Sequence, residues 1–460
     1  MTFEVACLSK YLTKFHDAKN LYVAYSGGLD SHVLLHAIVG LVGANRVIAV
    51  HVNHQLSSNA NNWQRHCEEQ CSALGVNLVC ELVDVSSTGS GLEQAAREAR
   101  YDTFEKLLKK NDLLILAHHA DDQAETILYR LFRGSGIKGI SGIPETRSLG
   151  DGKLFRPLLD FSRADLESYA STHDIKWVED ESNQEIVFDR NFIRHKVLPV
   201  VTDRWPELVS QLSRSAKIYG EAGHLLNVLA EQDLKSMREK SERVGWSISI
   251  DMFKRLEKSR QKNLIRHWVA EHKMPLPPYN VLDTLLNQML LSSLDAQPLV
   301  SWSGVELRRF NKKLYLFLAD FDNSSHIIDR KKGISSPAQF SISWDGFNKI
   351  LLPNNSSLST KISSVGGLKI HKKNIIEIRF RAGGERCKPF GRSGTNTLKK
   401  LFQEHNLEPW LRNKVPLVYV DGTLAAVGDL WVCDDFFALT DETGVELKWS
   451  FSKTYTSVID

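Results

Sequence analysis

Two short stretches carry residue types that can do chemistry at the spacing chemistry needs. The first is Ser26-Gly27-Gly28-Leu29-Asp30-Ser31. Glycines let a backbone come close to an anion and the serines add hydroxyl donors, a combination suited to phosphate. Asp30 cannot itself face a phosphate, so a carboxylate here implies a Mg²⁺ ion between the two. The loop lacks the lysine of a Walker A motif, G-x-x-x-x-G-K-[ST], and the bland alternative is an ordinary glycine-rich turn. The second stretch is Ala117-His118-His119-Ala120-Asp121-Asp122-Gln123-Ala124-Glu125-Thr126. On a helix beginning near Asp121, His118, Asp122 and Glu125 at i, i+4 and i+7 share one side. Such a set can hold a cationic substrate, or take a proton from an amine whose charged form cannot attack. It can equally ligate a metal, or merely complement a helix dipole.

Both stretches follow a strand pattern. LYVAY (21–25), VIAVHVN (47–53), VNLVCELV (76–83) and LLILA (113–117) are short apolar runs separated by segments of helical period, which predicts βαβ units and an α/β fold with a Rossmann-like parallel sheet. In such a sheet the loops at the strands' carboxyl ends form the ligand edge, and SGGLDS and AHHADD both leave from there. Ser162 and Asp165 match a helix N-terminal capping pair, and 253–273 and 281–291 read as further helices. After about residue 298 the period becomes two, with a hairpin around Asn311-Lys312-Lys313. The expected organisation is a catalytic domain over 1–215, a mostly helical domain over 216–320 and a small β-rich domain over 340–460. The Ser/Asn/Lys-rich 321–337 stretch is the candidate boundary.

A chain of 460 residues that is 42% hydrophobic and 25% charged is expected to hold several folded domains and excludes a disordered protein. Six cysteines with no CxxC spacing exclude a disulfide framework and fit a reducing compartment. No run of about 18 apolar residues predicts a membrane span, so a cytoplasmic protein with no membrane partner is expected. The net charge of +3 predicts no polyanionic partner by itself. Yet residues 369–414 hold twelve Lys and Arg against four Glu, a local excess of +8 that leaves −5 for the rest and suits a phosphate backbone.

SGGLDS resembles the phosphate loop of the N-type ATP pyrophosphatases, the PP-loop superfamily, which cleave ATP between the α- and β-phosphates and transfer AMP to an oxygen. The resemblance implies a sheet of the adenine nucleotide alpha-hydrolase type. It also implies ATP contacts from Ser26, Gly27, Gly28, Leu29, Asp30 and Ser31, Mg²⁺ support by Asp30, and Val52 against adenine. AHHADDQAET, followed by Arg133-Gly134-Ser135-Gly136, Arg156-Pro157-Leu158-Leu159, Asp180-Glu181-Ser182-Asn183 and Arg190-Asn191-x-x-Arg194, is the motif order of the tRNA(Ile)-lysidine synthetases.

That family adenylates the wobble cytidine of a CAU anticodon and displaces AMP from C2 with the side-chain amine of free L-lysine, so that the tRNA decodes AUA instead of AUG. Carried over, Asp122 and Glu125 hold and deprotonate lysine, His118 assists proton transfer, and Arg97 and Arg100 neutralise phosphate. For both arginines a helix-surface role is nearly as good an account. Arg133, Arg190 and Arg194 are expected on tRNA(Ile). So are Arg381, Lys399, Lys400 and Arg412, because residues 379–422 resemble the last domain of the longer synthetases. Trp410 is expected in a core more than on a base. The loop 134–142 either closes over the anticodon base or is a plain helix C-cap at Gly134. A homodimer is implied by the family only. The competing readings are a tRNA base thiolase of the same superfamily, which needs catalytic cysteines, and a non-catalytic tRNA-binding adaptor.

Overall fold

The computed structural model describes residues 2–85, 92–179, 181, 186–293, 296–319, 340–439 and 442–451. The chain forms two compact units, Met1–Leu225 and Leu226–Asp460.

The first unit is built on a six-stranded sheet: β1 (Leu21–Ala24), β2 (Val47–Asn53), β3 (Asn77–Leu82), β4 (Leu113–Ile115), β5 (Thr146–Leu149) and β6 (Gly152–Phe155), in the order β3-β2-β1-β4-β6-β5. All pairings are parallel except that of β5 with β6. Alternation along β1 sends Leu21 and Val23 to one core and Tyr22 to another. Helix α1 (Leu29–Val42) covers the first face with Val33, Leu34 and Ile38, and α3 (Leu92–Leu107) covers the second with Phe104; α2 (Ala60–Leu74) runs between β2 and β3. Val23 pairs with Ile115, so β1 and β4 release SGGLDS and AHHADD at the same level of neighbouring strands.

The β5–β6 hairpin is absent from the sequence reading. Its strands are short and three of the four β5 residues are exposed, which erases the apolar alternation. Only the tight Gly150-Asp151 turn, with Gly150 at φ +52°, marks it. The predicted Ser162–Asp165 capping pair is present: Asp165 N–H donates to Ser162 Oγ at 3.2 Å, and Ser162 N–H donates to Asp165 Oδ2 at 2.9 Å.

In the second unit the predicted hairpin, Val305–Phe310 with Lys313–Leu318, turns through Asn311 and Lys312, both at positive φ. It belongs to a five-stranded antiparallel sheet with Lys240–Ser241, Trp246–Ser249 and Leu299–Trp302. The early strands lie inside the segment expected to be mostly helical. Helices Lys258–Glu271 and Tyr279–Leu291 share a core with this sheet through Leu264, Trp268 and Leu285. The residues after 340 form a second antiparallel five-stranded sheet and a three-stranded one. Trp410 is only 9% exposed and packs on Tyr315 and Phe317, joining the segments 216–320 and 340–460 in one core. The candidate boundary 321–337 lies outside the described residues.

Cys387 and Cys433 are paired as a disulfide with Cα atoms 6.0 Å apart, a pairing without a signal in the sequence. Among the described residues no helix is long and apolar enough to cross a membrane.

Candidate active site

The phosphate loop is shaped by its own small residues. Gly27 sits at φ +83°, and a Cβ there would meet Cys67 Sγ at 2.9 Å and Val178 Cγ2 at 3.2 Å, so the buried Cys67 lies directly behind the loop. Ser31 Oγ accepts from Ser26 N–H at 3.2 Å and donates to Gly28 O at 2.9 Å, which closes the turn. Gly28 is the N-cap of α1 without a side-chain capping bond, and Leu29 is buried as its first residue. Asp30 Oδ1 is buried with no hydrogen-bond partner.

Helix α4 (Ala120–Phe132) begins one residue before the sequence reading placed it, with His119 as N-cap. Asp122 Oδ2 accepts from the His119 backbone N–H at 3.0 Å and Glu125 lies one turn on, 3% exposed. His118 precedes the helix. Its Nδ1 accepts from Arg156 Nε at 3.1 Å, and burial, with Arg156 and Arg97 nearby, pushes its pKa down to about 3 against the pull of Asp122. At neutral pH it is an uncharged acceptor.

The charged imidazole is its neighbour, which the sequence reading left without a role. His119 is 2% exposed and ringed by three carboxylates: Nε2 is 3.6 Å from Asp30 Oδ2 and 3.4 Å from Asp122 Oδ2, and Nδ1 is 3.4 Å from Asp121 Oδ2. Burial alone would lower its pKa; Asp122, Asp121 and Asp30 outweigh burial and raise it to about 10. In return His119 holds Asp122 below the usual carboxylate range despite burial. Two adjacent histidines thus differ in charge because burial prevails at His118, helped by Arg156, whereas three acids outweigh it at His119. Sequence spacing cannot separate them.

Arg194, expected on tRNA, instead closes the carboxylate pair. Its Nε donates to Glu125 Oε1 at 2.6 Å, and its Nη2 donates to Glu125 Oε2 at 3.0 Å and to Asp122 Oδ1 at 3.3 Å. Burial pushes the Glu125 carboxyl above its ordinary pKa, against the pull of Arg194. Ile193 and Leu198, packed on Ala124, fix the backbone that carries Arg194. A cleft of about 270 Å³ opens here, lined by His119, Asp121, Glu125, Arg163, Arg194 and Leu198 among others.

Other expected residues lie at varying distance from this centre. Arg97 stacks on Tyr101, at 5.2 Å, and bears on His118; Arg100 bears on His54. Val52 is half-buried on β2. Beyond it both His54 ring nitrogens are buried without a hydrogen-bond partner, and burial, then Arg100, lower its pKa to about 4. Arg133 is exposed and bonded to Tyr129, and Arg190 lies beside Arg130. Gly134, at φ +68°, ends α4, with Ser135 N–H on Arg130 O at 3.0 Å. Arg130 also donates to Gly139 O and Gly142 O, so the 134–142 loop is held as a C-cap and a short helix. Asp180, Ser182 and Asn183 lie outside the described residues.

Cys67 and Cys71 are buried, and burial pushes the Cys71 thiol to about 12 and Cys67 higher still, the opposite of a reactive thiolate. In the second unit Lys399 and Lys400 are exposed, Arg381 lies near Glu385 at 3.8 Å, and Arg412 donates to Leu407 O at 3.0 Å. Part of the +8 excess is met by acids beyond the segment, since Lys388 pairs with Asp434 and Lys369 with Glu442.

The chain was compared with known proteins. A family model described as a PP-loop domain matches residues 3–201, a TilS substrate binding domain matches 248–315, and a TilS substrate C-terminal domain matches 376–449. The tRNA(Ile)-lysidine synthase of Coxiella burnetii is 40% identical over 442 residues, covering 95% of this chain and 94% of that relative. That of Legionella pneumophila strain Lens is 39% identical, covering 93% and 95%, and that of Methylococcus capsulatus 34% identical, covering 96% and 99%. With the phosphate loop set beside the carboxylate helix and the likeness running nearly end to end, the chain belongs to the tRNA(Ile)-lysidine synthase family.

Proposed function

We propose that the protein joins lysine to C2 of the wobble cytidine of a CAU-bearing tRNA(Ile), with ATP consumed to AMP and pyrophosphate and an adenylated cytidine as intermediate. The observation that carries this is the cation already seated on Asp122 and Glu125, one strand away from SGGLDS. A site that holds a guanidinium on two acids can hold an ammonium there, and the neighbouring loop suits the phosphates of ATP.

Glu125 and Asp122 hold the lysine side-chain amine. Glu125, whose pKa burial raises, is the better proton acceptor, because the amine must lose a proton before it attacks. His119 stabilises the acids around it, while neutral His118 orients through Arg156. Arg97 and Arg100 offset phosphate charge, and Val52 lies against adenine. Asp30, with its unpartnered buried oxygen, fits Mg²⁺, which would neutralise phosphate charge. Arg133, Arg190, Arg381, Lys399, Lys400 and Arg412 serve the tRNA backbone. The same reading makes the protein cytoplasmic and admits a homodimer, which light scattering would test.

The decisive experiment is incubation with ATP, Mg²⁺, labelled lysine and an isoleucine tRNA transcript bearing CAU, followed by nucleoside mass analysis. A lysine-bearing cytidine with matching AMP and pyrophosphate is expected. Pyrophosphate without lysine incorporation would leave an adenylating enzyme with another nucleophile, and this proposal would fall.

A further inference from the structure

Arg194 does more than line the cleft. Its guanidinium makes two bonds to Glu125 and a third to Asp122, so both acids already share a cation supplied by the chain itself. Glu125 is almost wholly buried, whereas the Arg194 side chain is 29% exposed and faces the cleft. A cation entering the cleft therefore meets no free carboxylate on these two residues. It has to displace Arg194, and Arg194 then needs another anion.

The backbone is suited to such an exchange. Arg194 lies on a wide π-type turn, Ile193–Val197, wedged between helices Asp189–Phe192 and Leu198–Arg204. Pro199 has no N–H to continue a regular helix across the junction, and such wide turns mark places where function has displaced regular geometry. Ile193 and Leu198 are buried on Ala124, so the turn is anchored independently of the Arg194 side chain.

We infer that Arg194 is a built-in occupant of the amine site, released only by a ligand that brings a cation for Asp122 and Glu125 and an anion for the freed guanidinium. This rests on the reading of that site as the lysine site. A free amino acid with a terminal amine carries both charges; a simple diamine carries only the cation. Displacement by a diamine leaves the guanidinium only Asp30 and Asp121, which already face His119, so it gains no unshared counter-charge in a partly buried place, which is disfavoured. The device thereby selects amino acids over the polyamines that share their terminal amine.

Calorimetric titration of L-lysine and of cadaverine into the full chain without ATP tests this. In the wild-type protein cadaverine is expected to bind at least about tenfold more weakly than lysine; equal binding overturns the inference without any variant. In Arg194→Ala and in Arg194→Gln, which keeps an amide donor, cadaverine is expected to bind about tenfold more tightly than in the wild type. Cadaverine binding no tighter in both variants overturns it. Glu125→Gln separates the two readings. If it binds lysine as the wild type does, the lysine site itself is misassigned, whatever Arg194 does.

Discussion

His119 Nε2 lies 3.4 Å from Asp122 Oδ2 and 3.6 Å from Asp30 Oδ2, so one buried imidazolium bridges the acid of the phosphate loop and the acid of the amine site. On the proposed function, adenylation and amine attack share this single positive charge.

His119→Asn removes that charge and leaves three acids facing one another. The rate of lysine incorporation is expected to fall roughly 10²-fold, with ATP binding weakened as well. His118→Asn, which removes an uncharged acceptor, should cost less. Single-turnover assays compare them, and equal losses would show that the charge at His119 is immaterial.

Asp30→Ala and Asp122→Ala are each expected to lower product formation by at least roughly 10²-fold, while tRNA affinity by filter binding stays within about twofold. Wild-type turnover in either variant would remove that residue from the chemistry.

Lys399→Ala/Lys400→Ala removes two exposed charges from the second unit. Weaker tRNA binding is expected, with the slope of log affinity against log salt shallower by roughly 1 to 2. An unchanged slope would make these two lysines ordinary surface.

Stability should fall on the acid side. His32 is 3% exposed, its Nδ1 is 2.8 Å from Lys176 O, and burial lowers its pKa to about 4. Below pH 6.5 the unfolded chain takes up a proton that the native His32 refuses, so unfolding is favoured increasingly until the pH nears the native value. The loss is about 2 kcal/mol by pH 5 from this residue. Urea unfolding at pH 7 and pH 5 measures it, and His32→Gln should show a smaller drop. An equal drop in that variant assigns the acid sensitivity elsewhere.

Much of the first unit was legible in the sequence because buried parallel strands are short apolar runs. The four predicted strands coincide with β1 to β4 within two residues at each end. The β5–β6 hairpin was not legible because exposure of Thr146, Arg147 and Ser148 leaves no period to read. In the second unit the alternation of 305–318 exposed the hairpin, while Trp246–Ser249 is too short to separate from the helical segments around it.

The linear chain by itself determined that the two motif loops meet. Strand, loop and helix order at SGGLDS and AHHADDQAET places both at one sheet edge, because parallel strands deliver their following loops to the same side. Charge and pairing were decided only by the fold. Whether His118 or His119 carries a proton depends on Arg156 arriving from 38 residues away and on Asp30 arriving from another strand. Arg194, 69 residues beyond Glu125, could be read as a tRNA contact until the wide turn at Ile193–Val197 brought it onto the acids. Sequence spacing fixes neighbours along one helix face; burial and partners from distant segments set protonation, and those exist only once the chain has packed.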